Sequence, residues 1–230
     1  MANSKSPLAQ AGSSLAIVFC LAAGALEAGQ VGLLSRSNPP ADTASWPVVM
    51  AITEDAAVSA DGRYIAFASP AVNLIPGQSD TSDGLDVFLH DRVAGTMVLV
   101  SHLPILGNLM SGGGTSHQPS ISADGRWVAF VSTAHLSSNE PDTPNSKDIF
   151  LYDRTNGGVV KVSSWDGTGP ASSVLDSYDP VISADGNWIA FVSHRTNLVT
   201  GQSDVNGASD IFLYDRAGDT TILVSRAAAR

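Results

Sequence analysis

The sequence is poor in three things, and each shortage excludes something. It holds one cysteine, Cys20, in 230 residues, so neither an internal disulfide framework nor a Cys-rich zinc site can be built. Positive charge is scarce: 12 Lys and Arg against 22 Asp and Glu leave a formal charge of −10. A surface that acidic repels phosphate backbones and anionic lipid heads, so nucleic acid and membrane surfaces are not expected partners. Long apolar runs are missing too. The stretch LAIVFCLAAGA at 15–25 falls short of the about 20 residues that span a bilayer. Beyond it no segment keeps a 3.6-residue apolar period, so long amphipathic helices are not expected. With 43% hydrophobic residues the chain can still bury a core.

Residues 1–14 carry Lys5 and no acid, and small residues follow the apolar stretch as far as Ala28. Charged start, short apolar segment and the Ala23-x-Ala25 pair resemble a secretory signal peptide over 1–28. The competing reading is an N-terminal helix. Phe19 is bulky where a lipoprotein anchor at Cys20 would want a small residue. Export would place the mature chain in the periplasm or outside the cell, free of cysteine and not inserted in a membrane. Residues 29–50 read as a linker. Within it VGLLSRS at 31–37 resembles TILVSRA at 221–227, as an extra outer strand would.

An internal repeat organises what remains. VSADG at 58–62 returns as ISADG at 121–125 and at 182–186. RYIAFAS, RWVAFVS and NWIAFVS follow, and DVFLHDR at 86–92 returns as DIFLYDR at 148–154 and 210–216. Of the 15 aromatic residues, 11 fall on four columns: Tyr64/Trp127/Trp188, Phe67/Phe130/Phe191, Phe88/Phe150/Phe212 and Tyr152/Tyr214. Aromatics confined to shared columns mean copies of one supersecondary unit. The units span about 51–101, 115–163 and 177–225, with 226–230 as a tail.

Each unit reads as four short strands, rich in Val, Ile, Phe, Tyr and Trp and bounded by Gly, Asp, Asn and Ser. The Ala-Asp-Gly step is a tight hairpin, because Gly accepts the positive φ that such turns need. Strands such as WVAFVS are apolar at consecutive positions, which implies cover on both faces. A sheet covered on both sides by copies of itself is a propeller blade. The fold class is therefore all-β: three four-stranded antiparallel blades of a β-propeller. Three blades cannot close a ring that takes four to eight, so an open arc is expected, with apolar faces bare on the first and last sheets.

These units resemble the WD40-like propeller repeat of the TolB type. The resemblance lies in the Ser-Ala-Asp-Gly turn, the following aromatic-aliphatic-Ala-Phe strand and the Asp-Ile-Phe-Leu-Tyr-Asp strand, and it covers 51–225. Ala60, Ala123 and Ala184 stand where that family more often has Pro. The resemblance implies a scaffold used for binding and no particular chemistry.

Strand alternation sends the tight turns to one end and the long connections to the other. The latter are 70–85, 133–147 and 194–209 within units, and 102–118 and 164–180 between them. Long loops on a rigid scaffold are where binding residues collect, although these could instead cover sheet edges. Their acids, Asp80, Asp83, Glu140, Asp142 and Asp204, would make that end negative and suit basic or neutral partners. Asp204, Asn206 and Asp210 space oxygen ligands around a Gly turn as part of a calcium loop does. Without a bidentate Glu, Asx-turns account for the same spacing.

Asp61, Gly62, Asp124, Gly125, Asp185 and Gly186, with Asp86, Asp148 and Asp210, repeat with the scaffold and are read as structural. So are Asp91-Arg92, Asp153-Arg154 and Asp215-Arg216. The five histidines share no column with one another, and His90 replaces Tyr152 and Tyr214. No G-x-S-x-G elbow or phosphate loop is present. Trp165 and Tyr178 are placed in an inter-unit loop, as a stacking pair or a lid. The reading is a non-enzymatic binding module with a protein partner or self-association and no cofactor. The alternatives are a propeller accessory to a peptidase-type enzyme and a piece of a longer propeller.

Overall fold

A computed structural model describes residues 54–79, 84–103, 110–136, 146–164, 176–202 and 207–225. Among the described residues, short runs of β-branched and aromatic residues, cut by Asp-Gly and Asn-Gly turns, form twelve strands and no helix. Blade 1 is β1 (Glu54–Val58), β2 (Tyr64–Ser69), β3 (Asp86–Asp91) and β4 (Thr96–Leu99). Blade 2 is β5 (Ser116–Ile121), β6 (Trp127–Ser132), β7 (Asp148–Asp153) and β8 (Gly158–Lys161). Blade 3 is β9 (Ser177–Ile182), β10 (Trp188–Ser193), β11 (Asp210–Asp215) and β12 (Thr220–Leu223). Each blade is a four-stranded antiparallel meander in chain order. The three sheets stand side by side with β1, β5 and β9 innermost, an open partial propeller of three blades. Tyr178 belongs to β9, not to a loop as its sequence context suggested, because the strand begins one residue earlier. Trp165 and residues 1–53 lie outside the described residues, and with them the leader and the extra strand.

Registers repeat from blade to blade. Tyr64 pairs with Asp91, Trp127 with Asp153 and Trp188 with Asp215. A cross-strand Phe pair sits in the middle of each sheet: Phe67–Phe88, Phe130–Phe150 and Phe191–Phe212, with centroids 5.7–5.9 Å apart. Because side chains alternate across a strand, each blade shows different residues to its two neighbours. Tyr64, Ala66, Val87 and Leu89 face forward and meet Val128, Phe130 and Phe150 of blade 2. Ala129, Val131, Ile149 and Leu151 do the same toward Ile189, Phe191 and Phe212 of blade 3. The cores therefore lie between sheets.

The two outer faces differ from one another. On blade 3 the forward face is bare, with Val181, Trp188, Ile211 and Val224 exposed. On blade 1 the backward face was expected to be equally bare, and it is not. Ile65, Phe67, Phe88 and Leu99 are buried, with Ala71, Leu74, Ile75 and Met97 packed on them. Leu74 and Ile75 come from the loop after β2, which folds back onto its own sheet. Val58 and Ala56, near the inner edge, stay exposed on that side.

Candidate functional site

At the tight-turn end the polar residues of each unit are tied into one network. Ser59 Oγ donates to Asp61 Oδ1 at 2.6 Å and accepts from the Tyr64 N–H at 2.9 Å. The Arg63 N–H also reaches Asp61 Oδ1, at 2.9 Å. Ser122 with Asp124 and Ser183 with Asp185 repeat the arrangement. These hydroxyl and amide donors hold the carboxyls of Asp61, Asp124 and Asp185 below the usual range. Gly62, Gly125 and Gly186 close the turns at φ of 66–71°, where a side chain is strained.

One strand further out, Arg63 grips Asp91 through Nε and Nη2 at 2.7–3.1 Å. Arg126 grips Asp153 in the same way at 2.9–3.0 Å. Burial opposes the Asp153 charge, yet the Arg126 fork and Thr155 hold its pKa at about 2. In blade 3 Asn187 replaces the arginine and accepts from Arg216. The arginines after these acids link blades: Arg154 lies over the Tyr64 ring at 4.1 Å and Arg216 over the Trp127 ring at 4.1 Å. The repeated Asp-Arg pairs thus make contacts to the scaffold.

A cleft of about 510 Å³ opens between blades 2 and 3, lined by Trp127, Asp153, Lys161, Tyr214, Arg216 and Asp219, among others. Its counterpart between blades 1 and 2 measures about 130 Å³. Gly158 stands opposite Asp153 where Thr96 stands opposite Asp91. Polar groups lining the cleft already have partners within the scaffold. Tyr214 Oη donates to Asp219 at 2.8 Å, and Lys161 reaches Asp148 at 2.9 Å.

The described parts of the long connections lie at the opposite end. Here Asp148 is fully buried, between Lys161 at 2.9 Å and Arg195 at 2.8 Å. Ser163 Oγ donates to it at 2.7 Å. Burial pushes its pKa up, against the pull of Arg195 and Lys161. Arg195 belongs to the loop after β10, so this is a charge contact carried from blade 3 into blade 2. Asp86 and Asp210 receive Ser101 and Ser225 in the way that Asp148 receives Ser163. All three are anchors for the exit of the outer strand.

Sequence reasoning passed over two features at this end. Gln78 ties its loop through Ala71 O at 3.2 Å, and Gln202 ties the third-unit loop through Arg195 O at 2.8 Å. The repeated N-L-x-x-G-Q-S-D at 73–80 and 197–204 carried that signal. Arg195 had no signal, since Ala71 and Ala134 occupy its column.

Of the calcium-loop residues, Asp204 and Asn206 lie outside the described residues, as do Asp80, Asp83, Glu140 and Asp142. Asp210 is described and binds Ser225 Oγ at 2.6 Å. Among the described residues no three His, Cys, Asp or Glu side chains group together as metal ligands do.

No family model matches the chain, and no curated protein matches it. Solved structures do. TolB from Acinetobacter baumannii is similar at 18% identity and TM-score 0.42, over 84% of this chain and 34% of that one. Porphyromonas gingivalis dipeptidyl peptidase 4 is similar at 13% identity and TM-score 0.45, over 84% of this chain and 26% of that one. A prolyl endopeptidase gives 16% identity and TM-score 0.45, over 77% of this chain and 22% of that one. The chain thus spans about a third or less of the length of each of these three proteins.

Proposed function

We propose that the chain is an exported, non-catalytic propeller module that engages a protein ligand through its long-loop end. The contrast between the two ends carries this reading. At the turn end the repeated Ser, Asp and Arg side chains are bound into the scaffold in every blade. At the other end the connections differ beyond a shared N-L-x-x-G-Q-S-D in blades 1 and 3, where Gln78 and Gln202 fix the loop base. A fixed base carrying a long connection is what a binding loop needs. Export rests on the 1–28 pattern, and acidic composition favours a basic or neutral partner.

Photo-crosslinking in extracts of the source cells tests it. A photoreactive residue at the exposed positions Pro76 or Thr200 should capture a partner of one defined mass. The same residue at Ala94 or Ala217, on the turn end, should capture none. Equal labelling from both ends, or labelling from the turn end alone, would overturn the assignment.

A further inference from the structure

The contact between successive blades is the same contact twice, and among the described residues each end of the arc carries an unused half of it. The first component is a seat. A Cβ on Gly125 would fall within 2.1 Å of the Tyr64 ring, and one on Gly186 within 2.3 Å of the Trp127 ring. The aromatic of one blade thus rests on the turn glycine of the next. Gly62, the same glycine in blade 1, has nothing within 4 Å of that position. Trp188, the same aromatic in blade 3, is 41% exposed. A guanidinium from the next blade covers each seated ring, and Arg92, the matching arginine, stands exposed in blade 1. Its Nε donates to Gly62 O at 3.1 Å, as Arg154 does to Gly125 O at 2.9 Å and Arg216 to Gly186 O at 2.8 Å.

The second component is a backbone chain. The Ala60 N–H donates to Ala123 O at 2.9 Å and the Ala123 N–H to Ala184 O at 2.9 Å. The Ala184 N–H and the Ala60 carbonyl are the unused ends of that series. The third lies on the innermost strands. Asp55, Gln118 and Asp179 occupy one column, each at positive φ (47°, 53° and 53°) in a bulge. Asp55 Oδ2 accepts the Gln118 N–H at 3.1 Å, and Gln118 Oε1 accepts the Asp179 N–H at 3.3 Å. A carboxylate on Asp179 and an N–H on Asp55 would continue the ladder. Apolar contact agrees: Ile121 and Ile182 pack backward onto the preceding blade, whereas Val58 in their column is exposed.

We propose that the forward face of blade 3 docks blade 1 of a second copy of this chain, so that two arcs form one six-bladed ring. Six blades is an allowed number, and a two-fold axis along the ring makes the contact twice. Trp188 of one copy sits on Gly62 of the other beneath Arg92. Asp179 meets the Asp55 N–H, and the Ala184 N–H meets the Ala60 carbonyl. The buried face formed by Ile65, Phe67 and Phe88 leaves the turn rim and inner strand as the docking edge.

Sedimentation velocity of the purified chain should show a particle of twice the chain mass. Trp188→Glu and Arg92→Glu alter exposed side chains, so each should leave the monomer folded, Arg92→Glu with a small loss of melting temperature from its bond to Gly62 O, while weakening the dimer at least tenfold. Mixing the two variants should bring part of the dimer back, because one of the two contacts in the mixed pair is then intact. In a Cys20→Ser background, Ala60→Cys with Ala184→Cys should give a covalent dimer on oxidation, a readout that does not depend on the charge variants. A chain that stays monomeric overturns the proposal. So does a dimer broken by Trp188→Glu and untouched by Arg92→Glu, which would mean that two blade 3 faces meet.

Discussion

Residues 148–153 and 210–215 are the same hexapeptide, DIFLYD, in the same strand of successive blades. In blade 2 all six are buried; in blade 3 only Phe212 and Tyr214 are. Ile149 is fully buried and Ile211 is 41% exposed. The buried pair of blade 3 faces backward onto blade 2, whereas Ile211 and Leu213, whose counterparts Ile149 and Leu151 are buried against blade 3, face forward. Burial here is a property of having a neighbour. The strand itself, with its register and its Phe pair, forms either way.

The largest effect should come from the first residue of the hexapeptide. Asp148→Ala strands Arg195 and Lys161 without their carboxylate, which should cost about 3–5 kcal/mol. Asp210→Ala loses a partly exposed bond to Ser225 and should cost about 1 kcal/mol. Urea melts of both variants measure the difference, and equal losses would mean that the cluster contributes nothing. One position on, Ile149→Ala empties a packed site and should cost about 2–5 kcal/mol. Ile211→Ala should stay within about 1 kcal/mol, since water already reaches it. If the chain dimerises through that face, the Ile211 loss grows with protein concentration.

The turn glycines sharpen the same contrast. Gly62→Ala and Gly186→Ala share a positive φ, so both lose about 1–2 kcal/mol to backbone strain. Gly186→Ala must also push the Trp127 ring aside, adding about 1–3 kcal/mol. At concentrations where the chain is monomeric, a melting curve that ranks the two equally would break the seat.

The smallest effect is a pH dependence confined to blade 1. His90 stands in the Tyr152 and Tyr214 column with both ring nitrogens buried. Burial lowers its pKa from 6.5, so below that value the unfolded chain binds the proton more readily than the folded one. Its contribution is complete above about pH 6.5 and is lost as the pH falls toward the lowered folded value. The melting temperature should therefore drop between about pH 7 and 5, above the carboxylate range. His90→Tyr should flatten that drop, and a drop that survives the substitution would assign it elsewhere.

Much of this was legible in the chain. The column of VSADG and ISADG placed the turns, the DIFLYD copies placed the third strands, and the shared aromatics placed the interfaces. What was not legible involves residues that act once or act against their type. Arg195 reaches Asp148 from a column otherwise filled by Ala71 and Ala134, so no repeat announces it. Asp55, Gln118 and Asp179 take positive φ without being glycine, and only the meeting of three inner strands supplies the partners that stabilise the bulges. Leu74 and Ile75 read as loop residues, yet they turn back to cover the first sheet, because apolar side chains in a connection still seek cover.

The clasp between blades also has a direction in time. The seating glycine and the covering arginine always come from the later blade, and the aromatic they hold from the earlier one. A chain made from its N-terminus presents Tyr64 before Gly125 and Arg154 exist, and Trp127 before Gly186 and Arg216. Each sheet can settle as it emerges and be fastened by the next. No interface has to wait for more than one further unit of synthesis, so assembly proceeds like a row of overlapping shingles laid from one side.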